Sequence, residues 1–418
     1  VHKPLTILQI VPSLQSGGVE RGTIEIAKAL MQTGHRALVA SEGGPMVHEL
    51  AQIGATHIHL PLASKNPFIW WKNGKALKKL VQEEHIDLIH ARSRAPAWSA
   101  AFGAPFSHST TNDLLEPISI NTPWITTFHG IYGLKPAIKR YYNAIMTKGA
   151  YTIAISNYVR QHIMTHYHLD PTKLVLIPRG ADTDYFNPAN LTNDRIVAIQ
   201  NHLYGTNRPD LLESSQSIKP VMRWLCPARI TRWKGQDIAI KAIAHLKKHH
   251  PNIEHILIIA GDAKHHDHYR KELMELIEQE ELTQSVWIVP HLHDMPAAYS
   301  QVDGVLVPSS AQEAFGRVVC EAQAMEKIVL ASAVGGMVET IIPGITGFHI
   351  HDMQIQSWAQ TMMESAHLLP LQRVELGKAA RKHVTEHFSI AKMTASTLAL
   401  YEKVATKQSA FIPNSSHS

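Results

Sequence analysis

The sequence predicts an α/β protein of two doubly wound domains, and three observations carry that expectation. A β-branched strand (7–11), a glycine loop, a helix-period segment (23–31) and a second strand (37–40) follow one another at the start. That is how a parallel sheet with helices on its faces begins. The same alternation restarts at Trp224 after a polar stretch. The length, 418 residues, exceeds what one core usually organises and suits two.

In the first domain (1–189) the opening strand runs into a loop containing Gly17 and Gly18. The loop lacks the G-x-G-x-x-G spacing, which disfavours a nicotinamide enzyme. A tight turn is one reading of the glycine pair from the residues alone, and not the favoured one. Strands follow at 56–60 and 86–90, and between them Lys65, Phe68, Trp70, Trp71, Lys72, Lys75, Lys78 and Lys79 interleave cations with rings. Two readings fit this segment. One is an interfacial helix with rings at headgroup depth and ammonium groups toward phosphate. The other is a soluble helix with a solvated basic face. Arg92 and Arg94 come after a strand's carboxyl end, where open α/β sheets bind ligands; they are candidates to steer a phosphorylated acceptor, or merely to cap the loop. Residues 104–122 read as a loop or insertion. The strand 124–128 ends in His129-Gly130, and the strand 151–155 ends in Ser156 and Asn157, suited to cap the next helix. Residues 190–219 are polar and weakly periodic and read as the interdomain connection with an insertion.

In the second domain (220–388) a strand at Trp224 leads to Arg229 and Lys234, beside a helix over 237–246. Two fixed cations there neutralise a diphosphate and stabilise it as a leaving group. A strand at 255–260, a charged helix at 269–280 with a solvated face, and a strand at 286–290 follow. The strand Gly304–Val307 then gives way to a polar loop and a helix opening near Gly316, with Glu313 just before that helix and Glu321 inside it. A helix start leaves N–H groups unpaired and is a natural phosphate seat. Each ionised glutamate can accept from two neighbouring hydroxyls. A diphosphate between two polyhydroxyl groups describes a nucleotide sugar. The rival use, a glycosidase pair, fits less well: eight helical residues span roughly 12 Å, against the about 5–5.5 Å of a retaining pair. The strand 328–332, glycine turns at 335–336 and 344–347, and a final helix over 390–404 complete the chain.

Several of these motifs together resemble one family. Glu313-x7-Glu321 with Phe315-Gly316 between them resembles the signature of retaining GT-B glycosyltransferases of family 4. Arg229-x4-Lys234-Gly235 resembles its second signature, and Gly17-Gly18, His129-Gly130, Gly261-Asp262 and Gly344-x-x-Gly347 match further positions in order. Residues 177–186 resemble the segment closing the family's first domain, with Arg179 where Asn is usual. The resemblance covers roughly residues 5–405. It implies two Rossmann-like domains facing across a cleft, an acceptor domain first and a donor domain second. The helix within 389–407 would pack back on the first domain, and a tail at 408–418 would be disordered.

The implied activity is transfer of a hexose-type sugar, with retention, from a UDP- or GDP-linked donor to an acceptor hydroxyl. Arg229 and Lys234 would stabilise the departing diphosphate, Glu313 would hold sugar hydroxyls, and His129 would bond a hydroxyl or the developing charge. Gly17, Gly18, Phe315, Gly316, Arg317, Val318 and Glu321 would bind the donor, with Glu321 on the ribose diol. Residues 91–99 resemble, more narrowly, bacterial members that build the lipopolysaccharide core. That implies a glycolipid or lipid-linked acceptor met by Arg92 and Arg94, and a peripheral membrane contact. Two alternatives stand beside this reading: a catalytically silent nucleotide-sugar-binding subunit, and a GT-B sugar-nucleotide epimerase. Intact Arg229, Lys234 and Glu313 speak against the first, and the Glu313/Glu321 arrangement against the second.

Composition excludes other classes. Hydrophobic content of 44% with 18% charged residues is ordinary for a globular chain. Cys226 and Cys320 sit in apolar or helical segments, without the spacing of a zinc site or disulfide framework. The run His265-His266-Asp267-His268 has metal-ligand residue types, but nothing converges on it and it reads as a solvated loop. No Asp-x-Asp motif stands where a diphosphate would need one, so no metal and no cofactor are expected. The apolar run at the start is short for a secretion signal, and no stretch approaches the ~18 apolar residues of a span. A cytoplasmic place is expected, with the inner face of the membrane as the candidate station. A net charge of +5 permits attraction to anionic surfaces. No nucleic-acid module is present, and none is expected as partner.

Overall fold

The computed structural model describes residues 3–15, 17–103, 122–204, 219–264 and 266–409. The chain divides into a first unit of residues 1–178 with 393–418, and a second of residues 179–392.

The first unit is a seven-stranded parallel sheet with helices between successive strands. Its strands are β1 Thr6–Ile10, β2 Arg36–Ser41, β3 Thr56–His59, β4 Leu88–Ala91, β5 Trp124–Phe128, β6 Tyr151–Ala154 and β7 Leu174–Leu176. Its helices are α1 Gly18–Gln32, α2 Val47–Gln52, α3 Pro67–Glu83, α4 Arg94–Gly103, α5 Ala137–Ala144 and α6 Asn157–His166. The strand order is β3-β2-β1-β4-β5-β6-β7. Ile7, Leu8 and Ile10 are fully buried, as a strand covered by helices on both faces requires. The order reverses between β1 and β4, which run in parallel register with Gln9 opposite His90. Ligands of open α/β sheets lie at the carboxyl ends beside such a reversal. Helix α1 begins at Gly18, before the apolar periodicity starts; Arg21 in that early turn grips Glu49 with two bonds of 2.5 and 3.1 Å.

The second unit contains α7 Asn193–Tyr204, β8 Val221–Pro227, α8 Gln236–His249, β9 Glu254–Ala260, α9 Asp267–Gln279, β10 Val286–Val289 and α10 Met295–Ser300. It continues through β11 Gly304–Val307, α11 Arg317–Ala324, β12 Ile328–Ser332, β13 Phe348–Ile350, α12 Ile355–His367 and α13 Pro370–His387. The last helix is α14 Ile390–Ser409; from Met393 onward it groups with the first unit. There the Tyr401 hydroxyl bonds His90 Nδ1 at 2.6 Å, while His90 Nε2 meets the Thr127 hydroxyl at 2.7 Å. The second sheet is also wholly parallel, in the order β10-β9-β8-β11-β12-β13, and it reverses between β8 and β11.

The stretch read as a polar connection (190–219) contains a helix instead. Ile199, Leu203 and Tyr204 form the buried side of α7. Arg195 clasps Asp294 with two 2.7 Å bonds, and the Tyr204 hydroxyl donates to the Gln301 carbonyl at 2.9 Å. The guanidinium holds the Asp294 carboxyl below the usual carboxylate range. These partners lie far along the chain, which is why local polarity suggested a linker. Residues 205–218, all of the candidate insertion at 104–122 but Thr122, His265 and the tail from 410 lie outside the described residues, while 408 and 409 end α14.

The division at Pro178/Arg179 falls earlier than the 189 expected. Ala181 donates to the Phe388 carbonyl at 2.8 Å and accepts from Ile390 at 2.9 Å, and Arg381 bonds the Thr183 and Phe186 carbonyls at 3.1 and 2.8 Å. Residues just past 178 are thereby stitched to α13. Among the described residues no helix is long and apolar enough to cross a membrane.

One buried pair makes the second unit sensitive to acid. Trp224 Nε1 donates to His255 Nδ1 at 3.1 Å, and burial pulls the imidazole down to about 4. Above the ordinary value of 6.5 both folded and unfolded forms are neutral. As pH falls from there toward 4, the unfolded chain binds a proton that the folded one refuses, so stability is lost across that window. The expected loss from this group is about 3 kcal/mol. Denaturant titrations of wild type and His255→Asn at several pH values check it: the variant's slope between pH 6.5 and 4 should be shallower by about one proton.

Candidate active site

The residues picked out in the second half of the sequence converge where the second sheet reverses. Strand β8 exits into the loop 228–235, and Gly235 takes a left-handed φ of 69° to start α8. A Cβ on Gly235 would lie 1.9 Å from the Pro308 carbonyl oxygen, so the exits of β8 and β11 are in backbone contact. Ser310 N–H donates to the Trp233 carbonyl at 2.8 Å, tying the two loops.

Across this junction Lys234 Nζ meets Glu313 Oε1 at 2.7 Å, with the side chains only 13% and 15% exposed. The Ser309 hydroxyl donates to the same carboxylate oxygen. Gly336 N–H bonds the Glu313 carbonyl at 2.7 Å, so main chain and side chain of Glu313 are both fixed. The Lys234 ammonium also lies 4.3 Å over the Trp233 ring. Arg229, in the same loop, is exposed, and no ion pair or hydrogen bond engages its guanidinium among the described residues. Its backbone carbonyl accepts from Gln236 Nε2 at 2.9 Å, which pins the loop.

Helix α11 starts after Gly316, which has a left-handed φ of 96° and no side chain to cap the helix. A Cβ there would come within 2.6 Å of Met337 Cγ. The amides of Arg317 and Val318 occupy the first turn, where no intrahelical acceptor exists. Arg317 Nε reaches Glu321 Oε1 at 2.9 Å, with Glu321 14% exposed. Each glutamate of the spaced pair therefore lies against its own cation. Phe315, expected among donor contacts, turns inward: it is 5% exposed and packs edge-on against Phe388 at 5.6 Å. Ser309, Trp233 and the Lys234–Glu313 pairing escaped the sequence reading; a serine four residues before a glutamate is the one local signal available.

In the first unit, Gly17 is the N-cap position of α1 and Gly18 its first residue. A Cβ on Gly18 would meet nothing within 4 Å, so packing does not call for glycine there. His129 stands half-buried just past β5, at a strand's carboxyl end. Arg92 departs from expectation. It is 4% exposed, gives Nη1 to Gln9 Oε1 at 3.0 Å and leaves Nε without a hydrogen-bond partner. Burial on this scale removes it from the surface where an acceptor would be steered. Arg94 opens α4, lies 4.3 Å over the Tyr132 ring and donates to Asn143 Oδ1 at 3.1 Å. The two arginines are thus held by the fold rather than free in a loop. Cys226 and Cys320 are buried free thiols, and burial raises the Cys226 thiol to about 12. Among the described residues no group of three or more His, Cys, Asp or Glu side chains is placed to hold a metal ion.

The chain matches two family profiles, Glycosyltransferase Family 4 over residues 16–185 and Glycosyl transferases group 1 over residues 213–383. The crystal structure of a glycosyltransferase from Rickettsia africae is 35% identical and superposes with a TM-score of 0.83, covering 96% of this chain and 99% of that one. Anabaena HepE, solved with UDP and glucose, shares the fold at 21% identity and a TM-score of 0.74, over 96% of this chain and all of that one. A D-inositol 3-phosphate glycosyltransferase of Pseudarthrobacter chlorophenolicus is 28% identical over 239 residues, 56% of this chain and 52% of its own length. The chain spans about half the length of the first curated relatives it matches. Two parallel-sheet units with these signatures and a full-length relative at this identity lead to one conclusion: the chain belongs to the group 1 glycosyltransferases of family 4 and has the two-domain GT-B fold.

Proposed function

We propose that the second unit binds a nucleotide-diphosphate sugar, UDP- or GDP-linked, and that the chain moves its hexose to an acceptor hydroxyl with retention and without a divalent metal. The observation that carries this reading is the Lys234–Glu313 pair at the β8–β11 reversal, 2.7 Å apart and largely shielded, beside an exposed Arg229. A diphosphate arriving there meets two cations from one loop, which supply the charge that a metal otherwise provides. Lys234 then exchanges part of its contact with Glu313 for phosphate oxygen, and the carboxylate becomes available to sugar hydroxyls. The first-turn amides of Arg317 and Val318 serve the phosphates, and Glu321 the ribose. Gly17 and Gly18 allow close approach of the donor, and His129 bonds the sugar or the charge developing on it.

Catalysis on this reading is positional and electrostatic, with front-face attack by the acceptor hydroxyl. UDP bound to HepE favours a uridine donor. The acceptor is proposed to be lipid-linked, in cell-envelope glycolipid or lipopolysaccharide core synthesis at the inner membrane face, on the strength of residues 91–99. Arg94 is the better placed of the two arginines to meet it, since Arg92 is buried.

Calorimetry with UDP, GDP and ADP, each with and without EDTA, tests the reading. One nucleotide is expected to bind with EDTA present and to bind at least about tenfold more weakly to Arg229→Ala or Lys234→Ala. Binding that requires a divalent ion, or no binding by any of the three, removes the assignment.

A further inference from the structure

We infer that the first unit docks on an anionic phospholipid bilayer through the outward faces of α3 and α5. On α3, Phe68 is 60% and Trp71 43% exposed, and their rings stack at 5.7 Å. Lys75 Nζ lies 3.7 Å over the Trp71 ring and Lys72 Nζ 4.9 Å over Phe68. The outward stripe continues through exposed Lys78 and Lys79. On α5, Ile138 is 74% and Tyr141 71% exposed, amid exposed Lys135, Lys139 and Arg140. Rings and aliphatic carbon left in water beside ammonium groups suit the headgroup layer, where the apolar parts sink and the charges meet phosphate.

Both helices are rigidly founded. Trp70 of α3 stacks on Trp98 of α4 at 5.3 Å, and Trp98 meets Tyr141 at 5.9 Å and donates Nε1 to the Tyr142 carbonyl at 3.0 Å. A run of packed rings therefore joins the two exposed patches through α4.

Charge selects the partner's sign. Residues 61–82, 88–103 and 122–169 carry twelve Lys and Arg and no Asp or Glu, whereas the whole chain has 40 against 35. At the end of α3 Glu83 pairs with Lys79 at 3.5 Å; Lys72, Lys75 and Lys78 on that helix, and the cations of α5, meet no carboxylate among the described residues. Beside α5, a cavity of about 300 Å³ is lined by Arg140, Lys148, His166 and His168 among others, again without a carboxylate. It has the chemistry to receive a headgroup phosphate. A nucleic acid would answer the charge but has no use for Ile138, so the bilayer is the better fit. The inference rests on the preceding reading only in taking the acceptor as lipid-carried, and its test is separate.

Co-sedimentation of the full chain with phosphatidylcholine vesicles, with and without about 30% phosphatidylglycerol, measures it. Wild type should partition onto the anionic vesicles, weakly onto the neutral ones, and less as salt rises. The Phe68→Ser/Trp71→Ser, Ile138→Ser/Tyr141→Ser and Lys72→Glu/Lys75→Glu doubles should each bind at least about tenfold more weakly. All these side chains are exposed, so the melting temperature and nucleotide binding should be unchanged. Equal partition onto neutral and anionic vesicles, or unaltered partition of all three doubles, overturns the inference. Binding of single-stranded DNA in place of vesicles overturns it in favour of a nucleic-acid partner. Lost vesicle binding with nucleotide binding intact in wild type would sink the docking surface alone; the reverse would sink the donor reading alone.

Discussion

Lys234→Ala is expected to lower kcat/KM for sugar transfer by about 10³-fold, the loss typical of removing one preorganised group that stabilises developing charge. The ammonium is fixed before any ligand arrives, by Glu313 at 2.7 Å and by the Trp233 ring. On the proposed reading it is therefore already in place, and has only to release part of its contact with Glu313, when negative charge develops on a leaving diphosphate. Glu313→Gln separates the parts of this arrangement. The amide oxygen can still accept from Ser309, so the loop geometry is retained, but the charge opposite Lys234 is gone. Its kcat/KM is expected to fall by about 10²-fold. Because the pair is shielded but not fully buried, removing either partner should destabilise the second unit by about 1–3 kcal/mol, below the range for fully buried pairs. Steady-state kinetics and denaturant unfolding on the two single variants and the double give both quantities. The double should lose less stability than the sum of the singles, because they share one interaction. If Lys234→Ala keeps more than a tenth of wild-type kcat/KM, Lys234 is not the group that stabilises the leaving diphosphate.

Gly235→Ala is expected to prevent the second unit from folding stably, with a destabilisation above about 4 kcal/mol. The substitution combines a left-handed backbone with a Cβ 1.9 Å from the Pro308 carbonyl oxygen, and neither that carbonyl nor the start of α8 can move independently. Gly18→Ala is the control. Its Cβ would meet nothing within 4 Å, and alanine is the better helix former, so the first unit should keep or slightly raise its stability, by less than about 1 kcal/mol. Thermal melts compare the two directly. Equal behaviour of the two variants would mean that the β8 and β11 exits are not in the contact described.

Much of the candidate site was legible in the sequence because its chemistry is local. A glycine before a helix start, a carboxylate just outside it and a second one about one turn inside are visible in Glu313, Gly316 and Glu321 without any fold. The same holds for Arg229 and Lys234 ahead of α8. Burial was less legible. Phe315 lies within the signature yet packs against Phe388, and Arg92 follows a strand's carboxyl end yet is shielded on all sides, because each depends on elements remote in the chain. Helix α7 was missed for a related reason. Its exposed side mixes Asn193, Asp194, Asn201 and His202 with Val197 and Ala198, which blurs the helical period, and the groups that hold it, Asp294 and Gln301, are 99 and 97 residues away from Arg195 and Tyr204.

The sequence by itself therefore determined the α/β class, the two-domain plan, the family and the residue types of the candidate site, since strands, glycine turns and helix starts are specified within a few residues of each other. Only the tertiary structure decided which of those residues meet. Lys234 and Glu313 are 79 residues apart, Gln9 and Arg92 are 83, and His90 and Tyr401 are 311. Each pairing depends on which strands and helices lie side by side, and that is settled by the packing of whole sheets rather than by any local stretch.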